Sequence, residues 1–206
     1  MHIAILGATG RVGHRVANKL AEQHTVSALV RDSKKASGLL NDDINRIEGD
    51  VLDPETLRKT LEHADVVFSA LGTDKTTTLS EFTPTCLEIM KEYNIPRIVT
   101  IGTAGILNSR TEEGKLRYQT DESKRRITFA AKEHEKVYRE FENSDRSWTI
   151  LCPTYLPDEE SGGPLREEAD YLPENGKRAP VPDVAEVAVR EIISPDYKNK
   201  RVGLAL

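Results

Sequence analysis

The sequence predicts an α/β fold: a doubly wound parallel sheet in a three-layer α/β/α sandwich, formed as a single domain over all 206 residues. Three observations predict it. Short apolar, β-branched runs alternate with amphipathic stretches of crossover length. Those runs are nearly continuous in apolar character, as strands covered on both faces must be. A glycine-rich turn joins the first run to the first helix.

Strands are expected at 2–6, 25–30, 44–48, 65–71 and 97–102, with helices at 11–22, 33–40, 54–62 and 80–93 between them. The third helix announces its own start, with Asp53 as N-cap, Pro54 at the first helical position and Glu55 favourable to the dipole. Next comes a long charged helix over 121–142, whose apolar stripe is Ile127, Ala130, Ala131, Val137, Tyr138 and Phe141. Residues 148–152 read as a sixth strand ended by Pro153, which cannot donate to a central ladder. From about 154 to 182 the chain leaves the sheet on the substrate side, and its proline- and glutamate-rich part from Pro157 to Pro182 is expected to form a lid. Asp183 restarts a helix that runs to about Ile193, and 201–204 supply a last strand.

Composition excludes several classes of function. The net charge of −5 and an aromatic content of 5% argue against nucleic-acid binding, which needs cations to replace counterions and rings to stack on bases. The densest basic run, Lys124-Arg125-Arg126, is flanked by Asp121, Glu122 and Glu133 and reads as a solvated helix face. No stretch approaches the roughly 18 apolar residues of a membrane span, and no secretory signal opens the chain, so a cytoplasmic protein is expected. Cys86 and Cys152 are expected to be free thiols, with Cys152 serving packing rather than nucleophilic attack. His63, His134 and the other histidines lack metal-ligand spacing and read as surface residues, and no metal is expected.

The strongest motif is Gly7-Ala8-Thr9-Gly10-Arg11-Val12-Gly13, placed directly after a strand and before a helix. There, unpaired backbone N–H groups and the positive end of the helix dipole face an anion, and a pyrophosphate fits. Gly7 allows the turn, Gly10 lets the backbone approach the phosphates, and Gly13 permits close packing of helix on strand. Cofactor choice depends on the end of the second strand, Ala28-Leu29-Val30-Arg31-Asp32. A carboxylate there would suit the ribose hydroxyls of NAD, whereas the guanidinium of Arg31, with Lys34 and Lys35 close behind, suits a 2′-phosphate. NADP is therefore expected ahead of NAD, with Arg11 able to add charge from the turn and Asp32 as the competing ligand. Asp50 and Val51 are expected beside the adenine, although an N-capping role competes for Asp50.

Together with LVRD at 29–32, GDV at 49–51, ALGT at 70–73 and AKEHEKVYRE...WTILCPT at 131–154, this turn resembles the atypical short-chain dehydrogenase/reductases. The closest subgroup is the NAD(P)-binding NmrA-like and biliverdin IXβ reductase/flavin reductase-like proteins. The resemblance spans essentially the whole chain. It implies a Rossmann fold of strand order 3-2-1-4-5-6-7, with NADP extended along the carboxyl edge. By likeness, Ala70, Leu71, Gly72 and Thr73 line the ribose and nicotinamide side, Gly102 and Thr103 lie under the ring, and Pro153, Thr154 and Tyr155 cover the carboxamide.

One departure stands out. Typical members use a tyrosine four residues before a lysine, because the lysine and the cofactor ribose lower the tyrosine pKa for proton donation. No Tyr-x-x-x-Lys occurs here. Lys132 aligns with the lysine, Thr128 with the tyrosine, and Thr103 keeps the hydroxyl position; Tyr118 could reach in from the preceding loop. Ordinary surface roles compete for Lys132 and Tyr118. Hydride transfer to a conjugated acceptor needs no strong protein acid. The expected function is accordingly an NADPH-dependent reductase of a small conjugated or carbonyl acceptor such as a quinone, flavin or bilin, acting as a monomer or weak homo-oligomer. If Asp158, Glu159, Glu160, Glu167 and Glu168 face the pocket, polyanionic acceptors are disfavoured. A non-catalytic dinucleotide sensor of the NmrA kind is the alternative, and a nucleotide-sugar epimerase or dehydratase a weaker one.

Overall fold

The computed structural model describes residues 1–123 and 127–206. Side-chain alternation in the first strand, β1 (His2–Leu6), already sets the layering: Ile3 and Ile5 enter one apolar cluster, Ala4 and Leu6 the other. The same division continues through β2 (Thr25–Val30), β4 (Val66–Ser69), β5 (Arg97–Ile101) and β6 (Ser147–Pro153). Each of these strands is therefore buried on both faces, the reason its sequence is so uniformly apolar.

Among the described residues, six helices cover the two faces. Helices α1 (Gly13–Ala21) and α6 (Val181–Ile193) contribute to the first cluster through Val16, Leu20, Val184 and Ala188. Helices α3 (Pro54–Leu61), α4 (Thr78–Glu92) and α5 (Phe129–Glu142) contribute to the second through Leu57, Ile89 and Phe141, while α2 (Ser33–Ser37) is a single short turn. The N-cap expected at Asp53 is present, its carboxylate accepting from the amides of Glu55 at 3.3 Å and Thr56 at 3.2 Å.

With β3 (Asn45–Glu48), β7 (Arg166–Ala169) and β8 (Lys200–Ala205), the strands form one sheet of order β3-β2-β1-β4-β5-β6-β8-β7. The parallel part has the expected Rossmann order, and the chain reverses direction across the sheet between β1 and β4. Leu6 pairs with both Leu29 and Ser69, so Gly7, Arg31 and Ala70 emerge at one carboxyl edge beside that switch point.

Two expectations need correction. The excursion after β6 is no free lid, because its residues 166–169 form β7 and pair antiparallel with β8, with Glu167 opposite Leu204 and Glu168 opposite Gly203. The expected helix over 121–142 begins only at Phe129. Glu122 is instead the hub of a loop, its carboxylate accepting from Ser109 Oγ at 2.6 Å and from the amides of Arg110 and Thr111 at 2.5 and 2.9 Å. A helix through Glu122 would forfeit those bonds. Ile127, assigned to the apolar stripe, is 83% exposed, whereas Val137, Tyr138 and Phe141 are buried as expected. The basic run 124–126 lies outside the described residues.

Candidate cofactor and active site

The turn after β1 is shaped by what its glycines touch. Gly7 adopts φ +80°, and a Cβ on it would lie 2.8 Å from the Ala70 carbonyl. A Cβ on Gly13 would lie 2.1 Å from the Gly7 oxygen, so helix and strand meet with no room for a side chain. Gly10 closes the turn by donating its amide to Gly7 O at 3.0 Å. Helix α1 carries neither a capping side chain nor an acidic residue in its first turn, in contrast to α3; His14 N donates to Gly10 O at 3.1 Å, and the amides of Arg11, Val12 and Gly13 ahead of it remain for an outside anion. These residues fit a dinucleotide pyrophosphate.

From this turn a trough runs in both directions along the carboxyl edge. One arm, of about 320 Å³, is bounded by Thr9, Arg31, Lys35, Asp50 and Val51. Asp32, the competing ribose ligand, spends a carboxylate oxygen as the N-cap of α2, accepting from the amides of Lys34 and Lys35 at 2.9 and 3.1 Å. That leaves Arg31 and Lys35 as the cations lining this arm. Asp50 accepts from Leu52 N at 2.9 Å within its own loop and still borders the arm.

The other arm, of about 600 Å³, is bounded by Arg11 and Val12, by Ala70 to Asp74, by Ile101 to Thr103 and by Pro153 to Leu156. Gly10, Ala70, Leu71 and Gly72 belong to both arms, which makes the trough continuous. Arg11 lies on this second side, its Nη1 donating to Leu156 O at 3.0 Å, and so sits apart from Arg31. Beyond Thr103, Ala130, Thr154 and Tyr155 the trough opens into a further cavity of about 440 Å³. Every expected cofactor residue borders one arm or the other except Gly13, whose place is in the helix–strand contact.

The expected catalytic side chains are arranged less uniformly. Thr103 stands at the junction of trough and cavity, its Oγ1 accepting from Gly105 N at 3.4 Å, which leaves the hydroxyl proton free to point outward. Tyr118 borders the cavity, but its hydroxyl donates to Glu135 Oε2 at 2.5 Å, and burial with that carboxylate pushes its pKa up. It is a weaker acid than a free phenol. Lys132 is exposed and borders neither trough nor cavity. Thr128 borders the cavity only.

His134, expected at the surface, is corrected by its position. It lines the trough beside Ala130, and burial pushes its imidazole down to about 4 against the opposing field of Glu133. Sequence reasoning weighed this histidine only for metal-ligand spacing. Its place three residues before Val137 and seven before Phe141, on the same helical face, is the signal that turns it toward the sheet edge.

The acidic residues of the 157–182 segment do not face the cavity. Glu167 pairs with Arg190 at 2.5 Å, Glu168 with Arg110 at 2.6 Å, Glu159 with Arg178 at 2.8 Å and Asp158 with Arg15 at 3.7 Å. Among the described residues, the charged groups bordering the cavity are Arg117, Glu122 and Lys177, with Arg117 and Glu122 paired at 3.3 Å. Cys86 and Cys152 are both buried and free, and burial pushes each thiol up to about 12, which suits packing.

Comparison with known proteins agrees with this geometry. A family model described as NAD(P)H-binding matches residues 7–195. Among curated proteins, the photosystem II assembly factor Ycf39 of Synechocystis is 35% identical over 71 residues, which are 34% of this chain. The aligned part spans about a fifth, 22%, of that relative's length. Among solved structures, a Rossmann-fold NAD(P)-binding protein from Shigella flexneri superposes with a TM-score of 0.78 at 21% identity, covering 98% of this chain and 92% of that one. A short-chain dehydrogenase/reductase from Veillonella parvula in complex with NADP gives 0.78 at 17% identity, covering 100% and 94%. A Streptococcus pneumoniae protein whose name proposes an NADH-flavin reductase gives 0.79 at 20%, covering 100% and 99%. At these identities the structural likeness establishes the fold, and the family model establishes the kinship. The chain belongs to the NAD(P)H-binding family.

Proposed function

We propose that this protein is an NADPH-dependent reductase of a small conjugated or carbonyl acceptor, with a quinone or flavin as the model substrate. The observation that carries the proposal is the continuity of the trough: the Arg31 arm, the uncapped head of α1, the second arm and the 440 Å³ cavity form one path along the carboxyl edge. An extended dinucleotide on that path puts its phosphorylated adenosine at Arg31 and its nicotinamide near Thr103, facing the cavity. NADPH, when bound, supplies the hydride. The chain itself supplies orientation and a hydrogen bond from Thr103 to the acceptor oxygen. Because Tyr118 is held by Glu135, the proton that follows the hydride comes from solvent, which suits a conjugated acceptor whose reduced form is already a stable anion.

The test is steady-state NADPH oxidation by the purified protein with a panel of quinones, flavins, bilins and simple carbonyls. Turnover with a conjugated acceptor and none with isolated ketones is expected. Tight coenzyme binding without turnover of any acceptor would instead favour the sensor reading, which the lack of a trough-facing tyrosine on α5 keeps in view. Coenzyme choice is tested separately. Arg31→Glu should weaken NADPH binding by about tenfold or more, the scale of one charge-assisted contact, while leaving NADH binding within about twofold. Equal loss for both coenzymes would remove Arg31 from the adenosine site.

A further inference from the structure

Helix α5 offers the trough two residues, Ala130 and His134. Side chains four apart lie on one helical face, which is the reason a Tyr-x-x-x-Lys pair can act together at all. In this chain the pair with that spacing and that outlook is Ala130 and His134. Thr128 borders only the outer cavity and Lys132 borders neither. An imidazole thus stands where the family pattern has an ammonium, and a methyl group where it has a phenol.

We infer that His134 meets the nicotinamide half of the dinucleotide as an uncharged hydrogen-bonding group, so that this chain holds the oxidised, cationic nicotinamide without the repulsion an ammonium in that place imposes. The inference rests on the cofactor reading above. A fixed positive charge beside the ring penalises only the oxidised coenzyme, because the reduced ring is neutral. At the roughly 6 Å of a neighbouring group, unit charges in a partly buried site shift the affinity ratio by about tenfold or more.

The other charges along this arm do not restore the missing one. Arg11, from the turn after β1, directs its guanidinium to Leu156 O at 3.0 Å, and Asp74, from the loop after β4, brings the opposite sign. On α5 itself, Glu133 is occupied by Ser80 Oγ at 2.7 Å and Lys136 Nζ at 2.6 Å. Half-buried against the trough wall, the imidazole is pushed down by desolvation, to about 4, which favours the neutral ring.

The experiment is calorimetry on the full chain with NADP⁺ and NADPH, for the unaltered protein, His134→Gln and His134→Lys. Glutamine keeps a neutral hydrogen-bonding group, so the ratio of the two dissociation constants should stay within about twofold of the unaltered value. Lysine should raise that ratio, weakening NADP⁺ relative to NADPH, by about tenfold or more. An unchanged ratio in His134→Lys, or an equal change in His134→Gln, overturns the inference. A check independent of substitution is the NMR signal of the His134 ring in the unaltered chain. It should move on addition of either coenzyme, and a signal indifferent to saturating NADPH overturns the inference as well. If the unaltered chain takes up neither coenzyme, the cofactor reading itself falls, an outcome distinct from failure of the charge argument.

Discussion

Single atoms decide what the phosphate turn can tolerate. A methyl group on Gly13 would sit 2.1 Å from the Gly7 oxygen, a backbone atom that cannot swing away, whereas one on Gly10 would meet its nearest atom at 3.2 Å. Gly13→Ala is therefore expected to destabilise the protein by more than about 2 kcal/mol, read by urea unfolding. Gly10→Ala should cost less than about 1 kcal/mol while weakening coenzyme binding about tenfold, because Gly10 borders both arms of the trough where the proposed coenzyme crosses the turn. Loss of stability in Gly10→Ala with affinity intact would contradict this division of labour. These glycines were legible in the sequence because their spacing and the strand before them leave few other uses. His134 was not: which residue of α5 faces the trough depends on the rotation of the helix, and counting back from the neighbouring strand landed on Lys132.

At the level of elements, legibility followed how local the determining forces are. Helix α3 was readable because Asp53, Pro54 and Glu55 specify its start within three residues. The onset of α5 was not, because the bonds that hold Glu122 in a loop reach back across 13 residues to Ser109, a contact that the helical periodicity does not report. Edge strand β7 was hidden for the same reason: Arg-Glu-Glu-Ala has no strand-like pattern, and its order comes from pairing with β8. Burial pushes the Glu122 carboxyl up, but bonds from Ser109, the amides of Arg110 and Thr111, and Arg117 prevail and hold it down to about 2. A carboxyl depressed in the fold stabilises it above its unfolded pKa, and that contribution is lost as the pH falls through the folded value. Stability should thus decline between about pH 4.5 and 2, and Glu122→Gln should flatten that decline. Acid unfolding followed by circular dichroism reads it; identical acid profiles for the two proteins would refute the assignment.

Across the whole molecule, the two apolar clusters are joined through the sheet, and one buried ion pair fastens the sheet to its helical cover. Arg97 of β5 meets Glu191 of α6 at 2.6 Å, and Glu191 also accepts from Thr149 Oγ1 at 3.0 Å and from the amides of Asp196 and Tyr197 at 3.0 and 3.1 Å. The Glu191 side chain is wholly buried and that of Arg97 only 11% exposed. Glu191→Gln leaves a guanidinium without its counter-charge, and a loss of about 3 kcal/mol is expected in urea titration. A change below about 1 kcal/mol would show that water reaches the pair. The parallel order of the sheet was readable from the alternation of elements, but this clamp was not, since Arg97 and Glu191 lie 94 positions apart.

The pairing of β7 with β8 also bears on how the cavity admits guests. Leu172, Gly176 and Lys177, which form part of its wall, follow within a few residues of β7, and β7 is stitched into the same ladder that carries the core. A wall riveted to the sheet does not swing like a door. On this side, guests meet a wall whose place is settled when the protein folds.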